Sequence, residues 1–206
     1  MTPKRLDEVL ARFGTCRIAV IGDFFLDKYY DVEPALAEIS VETGKTAHQV
    51  VRVRHSPGSA GTVVNNLAAL KPGALHAVGF IGHDGDGWEL TRDLEAIGCS
   101  TKHLIRAPDR ATPLYLKPRD AHDPSLAGEH SRYDIKNRTK TPRALEDRII
   151  ATFDAVLPKV NAVIIADQVE ADDRGVITRR VRAALAERAR THPRVVPTPH
   201  LAANTP

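Results

Sequence analysis

A glycine-rich turn at the start of a predicted helix is the part of the sequence best suited to bind a ligand. The stretch HSPGSAGTVVNNLAAL, residues 55–70, places Pro57, Gly58 and Gly61 at the start of an apolar helical pattern. Glycine has no Cβ, so backbone N–H groups can approach a ligand closely there. The positive end of the helix favours an anionic or hydroxyl-rich ligand. The alternative is an ordinary turn at Pro57 and Gly58, with Gly61 needed only for close helix packing.

Three apolar runs each carry an aspartate at or just after their carboxyl end. The runs are residues 16–25 (CRIAVIGDFF), 75–81 (LHAVGFI) and 162–166 (AVIIA). Continuous apolar runs of this length are typical of buried parallel strands. Ligands of open α/β sheets bind at the carboxyl ends of the strands. We therefore expect Asp23, Asp84 and Asp167 to lie along one edge of the sheet.

Amphipathic helical patterns alternate with these strands. They cover residues 3–13, 61–70, 86–97 and 142–157. Thr2 and Pro3 are expected to begin the first helix and Gly14 to end it, while Gly98 ends the third. Thr141 is the predicted N-cap of the fourth. Alternating strands and helices predict an α/β fold with a mostly parallel sheet.

Two segments interrupt the alternation. Residues 29–56 contain HQVVRVRH, in which valines alternate with arginines, and residues 111–135 contain PLYLK followed by a polar stretch. Alternation of this kind indicates strands. Because both segments lie between elements of the main sheet, they are predicted to form a lid or a small accessory sheet outside it.

Composition and charge exclude several classes of protein. The chain has 206 residues and a formal net charge of +3, which is too small to indicate a nucleic-acid partner. An arginine-rich segment, residues 172–194, is expected to be a solvated helix face, with an anion site as the alternative. No run approaches the roughly 18 apolar residues that a membrane helix needs. Cys16 and Cys99 have no metal or redox spacing and are expected to be reduced thiols in a cytoplasmic protein.

Two further site types are disfavoured. GHDGDG, residues 82–87, groups a histidine and two aspartates but does not have the spacing of an EF-hand, so no metal site is predicted. Ser59 lies near two glycines, but no Gly-x-Ser-x-Gly elbow surrounds it. We therefore do not expect a serine nucleophile.

The order of the segments is more specific than any single motif. It resembles the amino-terminal half of the ribokinase-like (PfkB-type) carbohydrate kinases, and within them the heptose-7-phosphate kinase branch. The resemblance runs from about Arg17 to Arg190. The segments that carry it are IGDFFLD, SPGSAGTVVNNLAAL, AVGFIGHDGDGWELTRDLEAIGCST, RYDIKN and VIIADQ. It implies a ribokinase-like, mostly parallel sheet flanked by helices, with a small β-lid.

The resemblance also implies a set of substrate-binding residues. Asp27 would bind sugar hydroxyls through its two acceptor oxygens. Gly58, Ser59 and Ala60 occupy the positions of the family's turn against the sugar, and Asn66 matches the second asparagine of that signature. A sugar or sugar phosphate is the implied partner.

Further residues are implied at the phosphate end of the substrate. Arg132 and Asp134 lie where the branch has polar residues near the sugar phosphate. Residues 29–56, with part of 111–135, would be the lid that closes over the substrate and often pairs subunits, so a homodimer is a possible partnership.

The sequence departs from the family in the turn and after the third strand. Ser59 replaces the family's second glycine and Thr62 replaces an asparagine. After the third strand the chain reads DQVEADDRG, without the lysine that the branch has there. The substrate and its phosphate contacts are therefore expected to differ from the usual pattern.

The family's catalytic Gly-Ala-Gly-Asp motif does not occur in the sequence. Its aspartate would be the general base and its N–H groups would hold the transferring phosphoryl group. We expect residues 1–196 to be a partial kinase domain without its carboxyl-terminal half, and residues 197–206, PTPHLAANTP, to be an irregular tail left by a truncation or a frameshift. ATP and Mg²⁺ are expected for full-length members of the family rather than for this chain.

Two functions follow from these expectations. The first is a carbohydrate kinase represented by a substrate-binding fragment that is inactive alone, with no catalytic residue and no assigned nucleotide contacts. The alternative is a non-catalytic protein that binds a sugar or interacts through the lid.

Overall fold

The computed structural model describes residues 2–192, which form two four-stranded sheets and five α-helices. The helices are α1 (Pro3–Phe13), α2 (Ala60–Ala69), α3 (Gly85–Ala96), α4 (Arg143–Val156) and α5 (Arg179–Thr191). The strands are β1 (Arg17–Gly22), β2 (Phe24–Ile39), β3 (Thr46–Ser59), β4 (Ala74–Gly82), β5 (Cys99–Ala107), β6 (Leu114–Asp120), β7 (Tyr133–Ile135) and β8 (Ala162–Ala166). The predicted tail, residues 197–206, lies outside the described residues.

The first sheet is parallel and has the strand order β5-β4-β1-β8. Helices cover both of its faces because alternate side chains of a strand point to opposite sides. Ala19 and Ile21 of β1 belong to the apolar cluster that includes α4 and α5, whereas Ile18 and Val20 belong to the cluster that includes α2 and α3. The predicted α/β class with a mostly parallel sheet is confirmed.

Two predictions about this sheet need correction. β5 was not predicted. It follows directly after Gly98, which was interpreted only as the end of the preceding helix, and its apolar and polar residues do not alternate regularly. The run predicted as one strand over residues 16–25 is divided at Asp23, whose N–H donates to the carbonyl of Ala166 at 3.2 Å. Phe24 then begins β2, which belongs to the other sheet.

The second sheet has the order β3-β2-β6-β7 and is built from the two segments that interrupt the alternation. β2 pairs antiparallel with β3 and parallel with β6, and β7 pairs antiparallel with β6. β2 and β3 are longer than expected, at 16 and 14 residues. Since β2 begins just after β1 and β3 ends just before α2, both strands run directly into the predicted site.

Polar contacts fasten the second sheet to α3. Nζ of Lys28 lies 2.7 Å from Asp86 and 2.6 Å from Glu89. His55, which pairs with Lys28 across β2 and β3, contacts Asp93 through Nδ1. These contacts lie on the face opposite to Asp27, because neighbouring residues of a strand point to opposite sides.

The helix boundaries agree with the predictions except at α4. Thr2 caps α1 by accepting a hydrogen bond from the N–H of Arg5, and Gly14 follows its end. Thr141 is not the N-cap of α4; Pro142 holds that position, because the Thr141 hydroxyl donates instead to the carbonyl of Gly175 at 2.7 Å. No helix in residues 2–192 is long and apolar enough to span a bilayer.

The arginines of α5 are less solvated than predicted. Arg180 contacts Glu146 and Asp147 of α4, and Arg188 contacts Asp154 of the same helix. These pairs hold α5 against α4 and leave little reason to assign an anion site to the helix.

Candidate functional site

One row of residues crosses all four strands of the second sheet. Ser56 of β3 pairs with Asp27 of β2, Asp27 pairs with Tyr115 of β6, and Tyr115 pairs with Asp134 of β7. Directly paired residues carry their side chains on the same face of a sheet. The row therefore brings Asp27 and Asp134, two of the predicted substrate-binding residues, onto one face. We call it the Asp27 row.

Gly58 lies against the carboxylate of Asp27. A Cβ at Gly58 would overlap Oδ2 of Asp27, so the carboxylate keeps this position only while residue 58 has no side chain. The other oxygen, Oδ1, accepts a hydrogen bond from Nζ of Lys117 at 2.9 Å. Burial would lower the pKa of Lys117, but this contact with Asp27 keeps it above its usual value. The Asp27 carboxylate is thus fixed between a lysine and the turn.

Ser59 has a strained backbone. Its φ is 58° and its ψ is −119°, a conformation that glycine adopts easily and other residues do not. Its side chain does not cap α2, and its Oγ is buried with no hydrogen-bond partner in residues 2–192. Strain of this kind costs on the order of 1–3 kcal/mol. The position where the family pattern has glycine is therefore one where the backbone still has a glycine-like conformation.

The remaining residues of the turn have different roles. Ala60 is fully buried, and its N–H donates to the carbonyl of Asp23 at 3.0 Å. A Cβ at Gly61 would overlap Pro57, which supports the packing interpretation for that glycine. Asn66 lies on the exposed face of α2, and none of the described contacts joins it to the Asp27 row.

Arg132 and Asp134 form a bidentate ion pair. Nε and one terminal nitrogen of Arg132 lie 2.8 and 3.0 Å from the two oxygens of Asp134, and Nζ of Lys136 lies 3.3 Å from the same carboxylate. Burial would raise the pKa of Asp134, but these two cations hold it below its usual value. The Arg132 guanidinium also lies 4.7 Å from the centre of the Tyr115 ring. Arg132 is therefore already neutralised by a protein carboxylate.

Sequence reasoning missed Tyr115, Lys117 and Lys136. In PLYLK, Tyr115 and Lys117 alternate with two leucines, so the pattern placed both on the polar face of a strand. What it could not show was that β6 pairs in parallel with β2, because the two strands are far apart in the sequence.

A cleft of about 180 Å³ opens beside the Asp27 row, between the two sheets. Its walls come from the end of β1, the start of β2, and the segments before β6, after β7 and after β8. The lining residues are Asp23, Phe24, Phe25, Phe80, Pro113, Tyr115, Lys136, Asn137, Arg138, Gln168, Val169, Glu170, Ala171, Arg174 and Gly175. Phe25 and Tyr115 join the cleft to the row, since their ring centres are 5.2 Å apart.

The three aspartates predicted at the sheet edge are all engaged in structural contacts. Asp23 is buried and accepts hydrogen bonds from the N–H groups of Val176 and Gln168 at 2.7 and 3.3 Å. Burial raises the pKa of Asp23 to about 6. Asp84 caps α3 and accepts from the Thr112 hydroxyl and N–H, and Asp167 pairs with an arginine of α5 at 2.6 Å.

Solved structures with the same fold are sugar kinases. A carbohydrate kinase from Agrobacterium tumefaciens superimposes with a TM-score of 0.55 and 16% sequence identity, over 89% of this chain and 53% of that one. An uncharacterized sugar kinase from Pyrococcus horikoshii gives a TM-score of 0.53 with 14% identity, again over 89% and 53% of the two chains. At these identities the comparison defines the fold, which is that of the ribokinase-like sugar kinases.

Sequence relatives define the branch. The chain is 30% identical over 180 residues to the bifunctional protein HldE of Desulfatibacillum aliphaticivorans, and 32% identical over 160 residues to that of Aliivibrio salmonicida. These alignments cover 87% and 77% of this chain but 34% and 31% of the relatives, so the chain spans about a third of their length. No family model matches the chain. The chain is a ribokinase-like (PfkB-type) sequence of the heptose-7-phosphate kinase branch, as predicted.

Proposed function

We propose that this chain is the sugar-binding part of an ATP-dependent carbohydrate kinase and that it holds a sugar or sugar phosphate on the Asp27 row. The observation that carries the proposal is the row itself. It joins Asp27, Tyr115 and Asp134 from three strands on one face, with Gly58 at its end. Most of the row is half-buried beside a cleft, a setting in which hydrogen bonds to a ligand are little weakened by water.

The chemistry of the row suits a polyhydroxylated ligand. An ionised carboxylate accepts hydrogen bonds from two neighbouring hydroxyls, and such charge-assisted bonds are about twice as strong as neutral ones. Lys117 holds the Asp27 carboxylate in place through a hydrogen bond to Oδ1. The flat ring of Tyr115 supplies an apolar surface for the carbon skeleton of a sugar. The second sheet would then act as the lid over the ligand.

Phosphoryl transfer is proposed to need residues outside this chain. ATP and Mg²⁺ would require an anion-holding turn and unoccupied carboxylates, and the residues described do not fit them. Asp23, Asp84 and Asp167 are engaged by backbone N–H groups, a helix cap and an arginine. The cleft is also smaller than the roughly 300–1,000 Å³ of sites for larger ligands. We therefore propose that the chain binds substrate without transferring phosphate.

The test is calorimetric titration of the chain with a heptose 7-phosphate and with the unphosphorylated heptose. The Asp27→Ala variant should lose about 2 kcal/mol of binding free energy, or about 30-fold in affinity, for both ligands. Asp167→Ala is the matched control, because it removes an aspartate at the other candidate surface, and it should bind as the unchanged chain does. Unaltered affinity in Asp27→Ala would refute the assignment.

A companion assay tests the absence of catalysis. The purified chain with ATP, Mg²⁺ and the same heptoses should consume no ATP above the sugar-free rate. Sugar-dependent turnover near the roughly 1–100 s⁻¹ typical of kinases would contradict the proposal.

Interaction through the lid is the second candidate function. It is favoured by apolar side chains exposed on the outer part of β2 and on the edge strand β3, namely Leu36, Ile39, Val50, Val51 and Val53. Exposed edge strands with apolar side chains pair readily with another chain. A homodimer through this surface would appear as a doubled mass in light scattering, and Val51→Lys with Val53→Lys should restore the monomer. We also propose a cytoplasmic location, which the free thiols of Cys16 and Cys99 support.

A further inference from the structure

Arg110 is a buried arginine whose charge is not balanced by an ion pair. It lies between β5 and β6, and only 6% of its surface is exposed. Its hydrogen bonds go to carbonyl and hydroxyl oxygens, and it takes part in no ion pair of residues 2–192. Burial lowers the pKa of Arg110, and the charge of Asp109 offsets only part of this effect. Burying a charge without an ionic partner is costly, so stability alone does not explain the residue.

The guanidinium joins three segments that surround the cleft. One terminal nitrogen donates to the hydroxyl of Thr139 at 2.9 Å. The other donates to the carbonyls of Thr139 and Arg174 at 3.1 and 3.0 Å. Thr139 belongs to the segment after β7, Arg174 to the segment after β8, and Arg110 to the segment before β6. Because residues of all three segments line the cleft, this one side chain fixes walls that are far apart in the sequence.

The backbone from which Arg110 extends is also fixed. The N–H of Ala111 donates to the side chain of Asn137 at 3.1 Å, and the carbonyl of Ala111 accepts from the same amide at 2.9 Å. The carbonyl of Pro113 accepts from the N–H of Leu26 at 2.8 Å. Leu26 directly precedes the Asp27 row in β2. Arg110 therefore connects the cleft walls to the strand that carries the row.

Arg110 is not placed to bind a ligand itself. Its guanidinium lies 5.6 Å from the ring centre of Phe80, and Phe80 lines the cleft whereas Arg110 does not. Both terminal nitrogens already donate to protein oxygens. Its Nε is buried and has no hydrogen-bond partner in the described part of the chain, which adds to the cost of the position. These contacts indicate positioning of the walls rather than contact with a ligand.

We infer that Arg110 is a positioning residue for sugar binding: it holds the segments after β7 and β8 in the conformation that receives a ligand on the Asp27 row. The inference rests on the proposed function and adds a residue that acts on the site without touching the ligand. A preorganised site binds more tightly, because binding does not have to order it. If only a fraction of the molecules has the walls in place, the apparent affinity falls by that fraction.

The experiment titrates the 206-residue chain and its Arg110→Met variant with a heptose 7-phosphate. Methionine fills much of the same space but cannot donate to the carbonyls. We expect the affinity to fall about tenfold, as it does when about one molecule in ten has the walls in place. The loss should appear as slower association with unchanged dissociation, because the defect precedes binding. Asp27→Ala removes a ligand contact and should instead speed dissociation. Line shapes in ¹⁵N spectra recorded during the titration give both rates.

Amide hydrogen exchange of the ligand-free chain is a second measurement. The N–H of Thr141 donates to the carbonyl of Asp173 at 2.7 Å, and the N–H of Val176 donates to Asp23 at 2.7 Å. Both bonds lie in or between the segments that Arg110 holds. In Arg110→Met these two amides should exchange faster, while the amides of β1 and β4 keep their protection. Unchanged exchange at both would overturn the inference.

Two further variants control for charge and for stability. Arg110→Lys keeps the charge but not the planar fork of donors, so the affinity should fall by only about threefold. Arg188→Met removes another half-buried arginine, which binds the carbonyl of Ala184 and fixes α5 against α4. It should lower the free energy of unfolding in urea and leave the heptose affinity and both rates unchanged.

The outcomes separate this inference from the proposed function. Unchanged affinity in Arg110→Met overturns the inference and leaves sugar binding on Asp27 intact. A loss caused by faster dissociation also overturns it, because it indicates a direct ligand contact, and so does an equal loss in Arg188→Met, which indicates a general effect of stability. If Arg110→Met does not fold, Arg110→Lys decides by the same measurements. If the unchanged chain binds no heptose, the proposed function is wrong and the inference fails with it.

Discussion

The aspartates of the two sheets are held by different kinds of partner. At the carboxyl edge of the parallel sheet, Asp23, Asp84 and Asp167 are engaged by the protein itself. On the second sheet, Asp27 pairs with Lys117 and Asp134 pairs with Arg132, and Tyr115, which lies between the two aspartates in the row, lines a cleft. Position at a strand end is therefore not enough to make a carboxylate available to a ligand. Its neighbours decide whether it caps a helix, accepts from backbone N–H groups or pairs with a cation.

The largest expected effect is on the free energy of unfolding, and it tests the structural role of Asp23 at the carboxyl edge of the parallel sheet. Burial raises its pKa from 3.8 to about 6, so between these pH values the folded state holds a proton that the unfolded state releases. Its contribution to the free energy of unfolding therefore falls as pH rises through this window, by about 3 kcal/mol in total. Urea unfolding from pH 4 to pH 7, compared with Asp23→Asn, should show this loss in the unchanged chain alone. Parallel curves for the two proteins would show that Asp23 does not titrate in this range.

A smaller effect is expected from Gly58, on binding rather than folding. In Gly58→Ala the new Cβ overlaps Oδ2 of Asp27, a side-chain atom that can rotate away. The carboxylate would then leave its position, and heptose affinity should fall about as far as in Asp27→Ala, roughly 2 kcal/mol. Gly14→Ala is a comparison variant, because Gly14 follows α1 with a φ of −60° and has open space around it. If calorimetry finds normal affinity in Gly58→Ala, Asp27 does not need its observed position.

The smallest effect is expected at Ser59. Ser59→Gly relieves a strain of about 1–3 kcal/mol but adds the flexibility of glycine, at about 0.5–1 kcal/mol. The net result should be a stabilisation of about 1 kcal/mol, seen as a rise in melting temperature of about 2–4 °C. Ser59→Ala keeps the strained backbone and should not be stabilised. A fall in melting temperature for the glycine variant would mean that the serine hydroxyl contributes more than the strain costs.

Much of the fold could be predicted from local patterns. The apolar runs at β1, β4 and β8, with their intervening helices, gave the parallel sheet because a buried strand needs a continuous apolar stretch. The strand β5 and the break at Asp23 could not be found in this way. The first mixes polar and apolar residues, and the second depends on hydrogen bonds to residues more than 140 positions away.

The candidate site was predictable only in part. Asp27 and Gly58 were found from the motif, and the structure brings them into contact. Lys117 was missed because its contact with Asp27 depends on the pairing of β2 with β6, which leaves no local pattern. Asn66 also matches the motif and lies on an exposed helix face, so its assignment stays a prediction.

The most direct test of the account is to map the bound heptose 7-phosphate by amide chemical shifts of the ¹⁵N-labelled chain. The account predicts that the largest changes fall on residues around Asp27, Gly58 and Tyr115. The amides of Asp84 and Asp167 should change little. Changes concentrated at Asp84 and Asp167, with none along the Asp27 row, would contradict it and place the ligand at the edge of the parallel sheet.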